Sequence, residues 1–513
     1  MERTGRGVLK WTFVSVCTLC ILLVGFSGVT RNEEKPGRET GLEKRHEPNG
    51  GMMRVKLMHK NDHDSPFRKP GETRLESLRF HLRQDRLRLA AFSRSLESTT
   101  SYNEAESPEA EAEPPGDSEA EPPGGPDHPQ DEIRAPIFSG SFVGSGQYFV
   151  DVHIGTPPKR FLLIADTGSD LVWVNCHYHS RTRRRNSIAR IFDSGTSSTF
   201  SPVSCAAEEC LLVPPPPSAP CSLRHPTSCK YMYKYSDRSD SSGVFAYETL
   251  TINASSNADS PSDGIRIPSV AMGCSTRRHG QSFHGADGVI GLGQGPISFS
   301  SQIGHMYGDK FSYCLVDHLN GPSTSSNYLV FGHRAVDHSL QYTPIQKNPA
   351  AAPDTYYYVG IVGVNVHGTR LPIPHSAWLV DSRGNRGSIV DSGTTLTYVL
   401  EPGYGILLAA FEQLVCYPRL KLDPFDLCFN SSGIANPRLP DFSIDFDGGA
   451  SFRPDVDNYF IDAAPDIKCL GILGSSSPLG LNVIGNIMQQ NFFIEFDRRN
   501  SRLGFARTDC SKN

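Results

Sequence analysis

Several things this 513-residue chain lacks narrow its chemistry before any motif is read. Neither sign of charge dominates: 50 Lys and Arg against 55 Asp and Glu leave a formal −5, which argues weakly against nucleic acid as a partner. Eleven of the thirteen cysteines lie beyond residue 170, and no two of those form Cys-x-x-Cys, so zinc-ribbon spacing is absent. There is no His-Glu-x-x-His, and Gly280-Gln-Ser-Phe-His284 misses the last glycine of a nucleophile elbow. Long helical periodicity is rare, residues 404–414 being its clearest instance. Residues 101–132 hold no Lys or Arg at all, only a Glu-, Pro- and Ala-rich run that cannot bury enough apolar surface to stay folded.

Length and the remaining cysteines point to a multi-lobed, disulfide-bonded protein of an oxidising compartment. Arg3, Arg6 and Lys10 precede an uncharged stretch at 11–29 in which Gly25, Ser27 and Gly28 offer cleavage positions. That is a signal-peptide layout, with an uncleaved membrane anchor as the alternative; a plastid transit peptide ranks behind both. Asn253-Ala-Ser255 and Asn430-Ser-Ser432 are glycosylation sequons consistent with the secretory route.

Further along, residues 54–60 alternate apolar and basic as a half-buried strand does. Residues 72–96 set Leu75, Leu78, Leu82, Leu87 and Leu89 among arginines, predicting a basic amphipathic helix. The acidic run 101–132 then reads as a linker open to proteolysis. From about residue 133 the texture becomes short β-branched segments punctuated by Gly, Pro, Asn and Ser, an all-β signal. A weak repeat runs through it. Tyr148-Phe-Val-Asp-Val-His-Ile-Gly155 and Tyr356-Tyr-Tyr-Val-Gly-Ile-Val-Gly363 each precede an Asp loop. Gly288-Val-Ile-Gly-Leu-Gly293 and Leu481-Asn-Val-Ile-Gly-Asn486 each follow one. Two homologous β lobes are predicted.

The Asp loops carry the chemistry. Asp166-Thr167-Gly168-Ser169 and Asp391-Ser392-Gly393-Thr394 are each embedded in apolar strand sequence, where a carboxylate is costly to ionise without hydrogen-bond support. The hydroxyl residues and glycines beside them supply donors and a tight turn. One such loop per half suggests two carboxylates meeting across an interface around a water, an arrangement for acid–base work. Neighbouring features read more plainly. His177 and His179 lack a third ligand, the run Arg181-Thr-Arg-Arg-Arg185 is an exposed charged loop, and Asp445-Phe-Asp-Gly-Gly449 is a turn rather than a calcium loop.

On these motifs and their order, joined by Thr156-Pro157-Pro158, Trp173, Cys229-Lys-Tyr-Met-Tyr-Lys-Tyr235 and Arg502-Leu-Gly-Phe-Ala506, the chain resembles the pepsin-like aspartic proteases, and more closely the plant branch that includes the nepenthesins. The resemblance covers roughly residues 135–513, and 54–96 is similar to the family's propeptide. It implies an all-β, bilobal fold with few short helices and a cleft between the lobes. The implied order is signal peptide or anchor at 1–29, propeptide and acidic linker at 30–134, N-terminal lobe at 135–345 and C-terminal lobe at 346–513.

It also implies an aspartic endopeptidase with Asp166 and Asp391 as catalytic dyad. Thr167, Gly168, Ser169, Ser392, Gly393 and Thr394 would support them; no cofactor and no metal would be needed. Tyr235 would be the flap tyrosine over substrate and Trp173 its neighbour, although the usual flap glycines are replaced by Ser236 and Arg238, a departure that strains a turn needing positive φ. Implied disulfides are Cys176–Cys274, Cys205–Cys229, Cys210–Cys221, Cys314–Cys510 and Cys428–Cys469, with Cys416 left over. The implied partners are a polypeptide substrate and the chain's own propeptide, with no nucleic acid, and a membrane only through an uncleaved anchor. The chain is expected to be monomeric and extracellular or vacuolar. The arginine-rich segment 74–94 is expected to lie across an acidic cleft at neutral pH and leave on acidification, making the enzyme a zymogen most active in acid. The alternative is a non-catalytic binding protein on the same scaffold, such as an inhibitor of cell-wall hydrolases; intact Asp loops argue against it.

Overall fold

The computed structural model describes residues 133–139, seven residues between 75 and 85, and 148–512 apart from the segments 179–189, 218–220, 222–226, 236–238, 253–263, 281–282, 284–285, 317–326, 333–338, 351–353, 435 and 476–479. The apolar run 11–29, the strand expected at 54–60, the linker 101–132, His179, the arginine run 181–185, Asn253 and the altered flap turn 236–238 therefore lie outside the described residues.

What is described is β structure almost throughout, as the short alternating segments predict. The helix expected at 404–414 spans Gly403–Leu414, and a short one spans Phe299–Gly304. Among the described residues no helix is long and apolar enough to cross a membrane.

Each lobe is organised around the same crossing. In the first, strand Lys159–Asp166 runs parallel to Gly288–Gly291, which pairs on its other side antiparallel with Trp173–His177. In the second, Ser388–Val390 runs parallel to Asn482–Ile484, which also pairs antiparallel with Thr397–Val399. A later strand thus passes between the two arms of each Asp loop, which stops the loop from opening. The passage is tight enough to demand glycine. A Cβ on Gly291 would stand 2.3 Å from the Asp170 carbonyl, and one on Gly485 would stand 2.1 Å from the Leu396 oxygen.

The lobes are sewn together by a shared sheet. Lys310–Cys314 pairs with Phe492–Asp497 near the chain's end, and Asn327–Phe331 joins Lys310–Cys314 to Ile133–Ser139. Phe311 stacks on Phe496 at 4.5 Å inside this sheet, and Cys314–Cys510 bridges its edge. Beneath the N-terminal lobe's long hairpin, Asp240–Ile252 with Ile265–His279, lies a cluster that includes Phe149, Ile164, Trp173, Tyr231 and Phe245. Its burial, at roughly 25 cal/mol per Å² of apolar surface, is what holds the hairpin to the first loop.

Candidate active site

Both aspartates end an apolar strand and are buried, Asp166 at 2 % and Asp391 at 0 % exposure. Their carboxyls are held alike. Asp166 Oδ1 accepts from the Gly168 N–H at 3.1 Å and Oδ2 from the Ser169 hydroxyl at 2.6 Å. Asp391 Oδ1 accepts from the Gly393 N–H at 2.9 Å and Oδ2 from the Thr394 hydroxyl at 2.6 Å. Such bonds offset part of the loss of hydration that burial imposes.

One residue past each aspartate the loops grip each other. The Thr167 N–H donates to Ser392 Oγ at 3.2 Å, and the Ser392 N–H donates to Thr167 Oγ1 at 2.9 Å. The Ser392 hydroxyl in turn donates to the Ala165 carbonyl at 3.0 Å. Of the six supporting residues named from the sequence, Thr167 and Ser392 make the interlobe contact, while Gly168, Ser169, Gly393 and Thr394 each hold the aspartate of their own loop. Asn486 fixes the second loop from behind, its side-chain amide donating to the Ser392 carbonyl and its N–H to that of Thr394.

Tyr235 and Trp173 also meet: the indole Nε1–H donates to the tyrosine hydroxyl at 2.6 Å. Phe283 packs edge-on against both rings, at 4.9 and 5.1 Å. Burial, with the Tyr233 phenol and the Asp166 charge nearby, pushes the Tyr235 phenol well above its usual range. It therefore stays neutral, with its own hydrogen available to donate. The hairpin closes through the Tyr235 N–H to the Ser239 carbonyl.

Two residues here escape a reading of the sequence. Tyr233, whose shared phase with Tyr235 makes it look like ordinary strand, places its hydroxyl where it accepts the Asp170 N–H at 3.2 Å. Asp170 itself is buried, accepting from the Gly295 N–H at 2.8 Å and from the Thr355 hydroxyl at 2.6 Å. Burial raises its pKa from 3.8 to about 6, against the lowering effect of those two bonds and of Arg498, with Asp166 adding to the rise. Only its place four residues past Asp166 could have flagged it.

The disulfides require one correction. Cys176–Cys274, Cys314–Cys510 and Cys428–Cys469 are paired and exposed Cys416 takes part in no disulfide, but the insert pairs Cys205 with Cys221 and Cys210 with Cys229. The expected Cys205–Cys229 and Cys210–Cys221 bridges are not formed. The reason is local: the 3-10 turn Glu208–Leu212 folds Cys210 back over buried Cys229, leaving exposed Cys221 to Cys205. Of the sequons, Asn430 is exposed at a strand end, its side-chain Oδ1 accepting from the Ser432 N–H. Asp447 begins a 3-10 turn and accepts from Gln346, and Asp445 accepts from Asn365 and Ser451, as a turn requires.

A bilobal β fold whose two pseudo-equivalent loops interlock behind paired aspartates defines the pepsin-like class. Comparison with known proteins places the chain within it. Residues 148–333 match the family model described as xylanase inhibitor N-terminal, and residues 356–507 match xylanase inhibitor C-terminal. Aspartyl protease family protein 2 of Arabidopsis thaliana is 37% identical over 385 residues, 74% of each chain. Aspartic proteinase nepenthesin-1 of Nepenthes gracilis is 36% identical over 375 residues, 72% of this chain and 79% of that one. The chain belongs to the pepsin-like aspartic protease family, in its plant, nepenthesin-type branch. Solved structures agree on the fold: that of edgp aligns with a TM-score of 0.61 at 21% identity, over 76% of this chain and 97% of that one. Basic 7S globulin from soybean aligns with 0.56 at 21% identity, over 74% and 98%.

Proposed function

We propose that the chain is an aspartic endopeptidase, with Asp166 and Asp391 as its catalytic pair, made as a zymogen in the secretory pathway and most active in acid. The observation that carries the reading is the reciprocal Thr167–Ser392 grip, which sets two identically supported carboxyls one residue away on either side. Two neighbouring carboxyls cannot both ionise easily, so one holds a proton that the other lacks. The ionised member takes a proton from water as that water adds to the scissile carbonyl. The protonated member donates to the carbonyl oxygen, and the C–N bond breaks as the amine nitrogen gains a proton. The substrate is an extended polypeptide, met near the first aspartate by the half-buried ring of Tyr235, which buried Trp173 and Phe283 hold from behind.

The test is cleavage of an apolar peptide at acid pH by the processed protein, with and without pepstatin, against Asp166→Asn and Asp391→Asn. Each variant is expected to lose at least about a thousandfold in kcat while keeping the wild-type fold. An inactive wild type would favour a second reading, to which the match to both xylanase inhibitor family models lends weight: a binding protein on the same scaffold that inhibits a cell-wall hydrolase such as a xylanase. Titration against a xylanase separates the two.

A further inference from the structure

The described part of the arginine-rich segment 74–94 makes a contact of its own. Residues 75, 76, 78, 79, 82, 83 and 85 are helical, and the side buried against the second lobe is the leucine side. Leu78 and Leu82 are buried in one cluster with Leu396, Tyr398, Phe425, Ile461 and Ile487, and Leu75 is half-buried on the same stripe. Steps of three, four and three residues then carry the stripe to Asp85, which is also buried. Arg79 and Arg83 are exposed, and Arg79 Nε donates to the Asp423 carbonyl. An apolar stripe ending in a carboxylate, not a row of arginines, makes this contact.

The Asp85 carboxylate accepts from the Thr395 N–H at 3.2 and 3.3 Å, from the Leu396 N–H at 3.2 Å and from the Tyr398 hydroxyl at 3.4 Å. These groups stand four, five and seven residues past Asp391. At the same distances past Asp166 stand Asp170, Leu171 and Trp173. There the Tyr233 hydroxyl meets the Asp170 N–H, and the Leu171 N–H as well, while the Trp173 indole Nε1–H donates to the Tyr235 hydroxyl. The first lobe covers these donors with its own flap hairpin. The second covers them with Asp85.

We propose that Thr395, Leu396 and Tyr398 form a carboxylate-binding docking seat for the chain's own leader helix, with Asp85 as its anchor. The helix takes the second lobe's counterpart of the flap position. Its departure leaves two inward-facing amides and a phenol without that acceptor, so the processed protein presents an apolar groove closed by a carboxylate cradle. The leader's released helix is the occupant that fits, since its leucines and its aspartate are spaced to fill groove and cradle together. That the seated helix restrains activity rests on the peptidase reading; the docking does not.

The test uses the full chain carrying Asp166→Asn, so that no self-processing intervenes, and follows amide hydrogen exchange. Thr395 and Leu396 are expected to exchange at least about tenfold more slowly than in the same chain with Asp85→Ala added. Leu82→Asp, which lifts the stripe without touching the cradle, should deprotect the same two amides, while Phe492–Asp497 keeps its protection in all three. Nicking the folded chain within 101–132 with an added protease needs no further variant: the leader fragment should co-elute with the body on gel filtration. Fast exchange at Thr395 and Leu396 in the intact chain overturns the proposal, as does equal protection in all three proteins or a fragment that separates on nicking. Peptidase activity enters none of these readouts, so a failed docking and a failed peptidase assignment are told apart.

Discussion

In the first lobe the amides four and five residues beyond Asp166 meet a tyrosine of the same lobe, whereas in the second those beyond Asp391 meet a carboxylate about 310 residues earlier in the chain. Within the loops themselves the lobes scarcely differ. The glycine N–H lies 3.1 Å from one carboxyl and 2.9 Å from the other, and both hydroxyl contacts are 2.6 Å. Behind the loops they part company. Asp170 ties the first loop to Gly295 and to Thr355, and the residue in the same place of the second loop is Thr395. What holds the two aspartates is alike in both loops, and what anchors each loop from behind differs.

The symmetric part is broken hardest at the glycines that let a strand pass between the loop arms. Gly291→Ala and Gly485→Ala would each drive a methyl to within 2.3 Å or less of backbone carbonyl atoms, which cannot move aside as a side chain could. Both are expected to cost more than about 4 kcal/mol, measured by denaturant unfolding. If either were tolerated within about 1 kcal/mol, the two crossings would not be equivalent.

The divergent part is sharpened at Asp170. A carboxyl whose folded pKa stands at about 6 instead of 3.8 favours the native state fully below the lower value, and that favour is lost as pH rises through the upper one. The gap corresponds to roughly 3 kcal/mol at most. Asp170→Asn is neutral at every pH, so its stability should lack this decline while wild type shows it between about pH 4 and 6. Thermal unfolding of both proteins across that range checks it; parallel curves would mean that Asp170 does not titrate in this window. The second lobe carries no acid at this position, so Thr395→Val should leave the pH dependence of wild type unchanged.

How much of this was legible in the sequence follows the range of each interaction. The Asp loops and the glycine-ended strands paired with them are written in short motifs, and the Trp173–Tyr235 contact joins two more. The insert's bridges were misassigned because a single 3-10 turn decides which sulfur Cys210 meets, and no spacing rule encodes that turn. Tyr233 and Asp170 were overlooked because each looks ordinary alone: one is a strand tyrosine in phase with its neighbours, the other an acid after a loop. In the leader one residue was overlooked for a related reason. Its arginines are abundant and draw the eye, yet Arg79 and Arg83 face solvent, and the informative residue is one aspartate on the leucine stripe.

The smallest expected effect probes the grip itself, which is reciprocal in its amides and unequal in its hydroxyls. Ser392 Oγ accepts the Thr167 N–H and donates to the Ala165 carbonyl, while Thr167 Oγ1 accepts the Ser392 N–H. Removing the serine hydroxyl therefore strands a buried donor and a buried acceptor, and removing the threonine hydroxyl strands a donor. Ser392→Ala is expected to cost about 2 kcal/mol and Thr167→Val about 1 kcal/mol, read from denaturant midpoints at constant m. Because both hydroxyls act across one contact, the double variant should cost less than the sum of the two. Equal single costs with full additivity would mean that each hydroxyl serves only its own lobe, and the two loops would then be neighbours without being coupled.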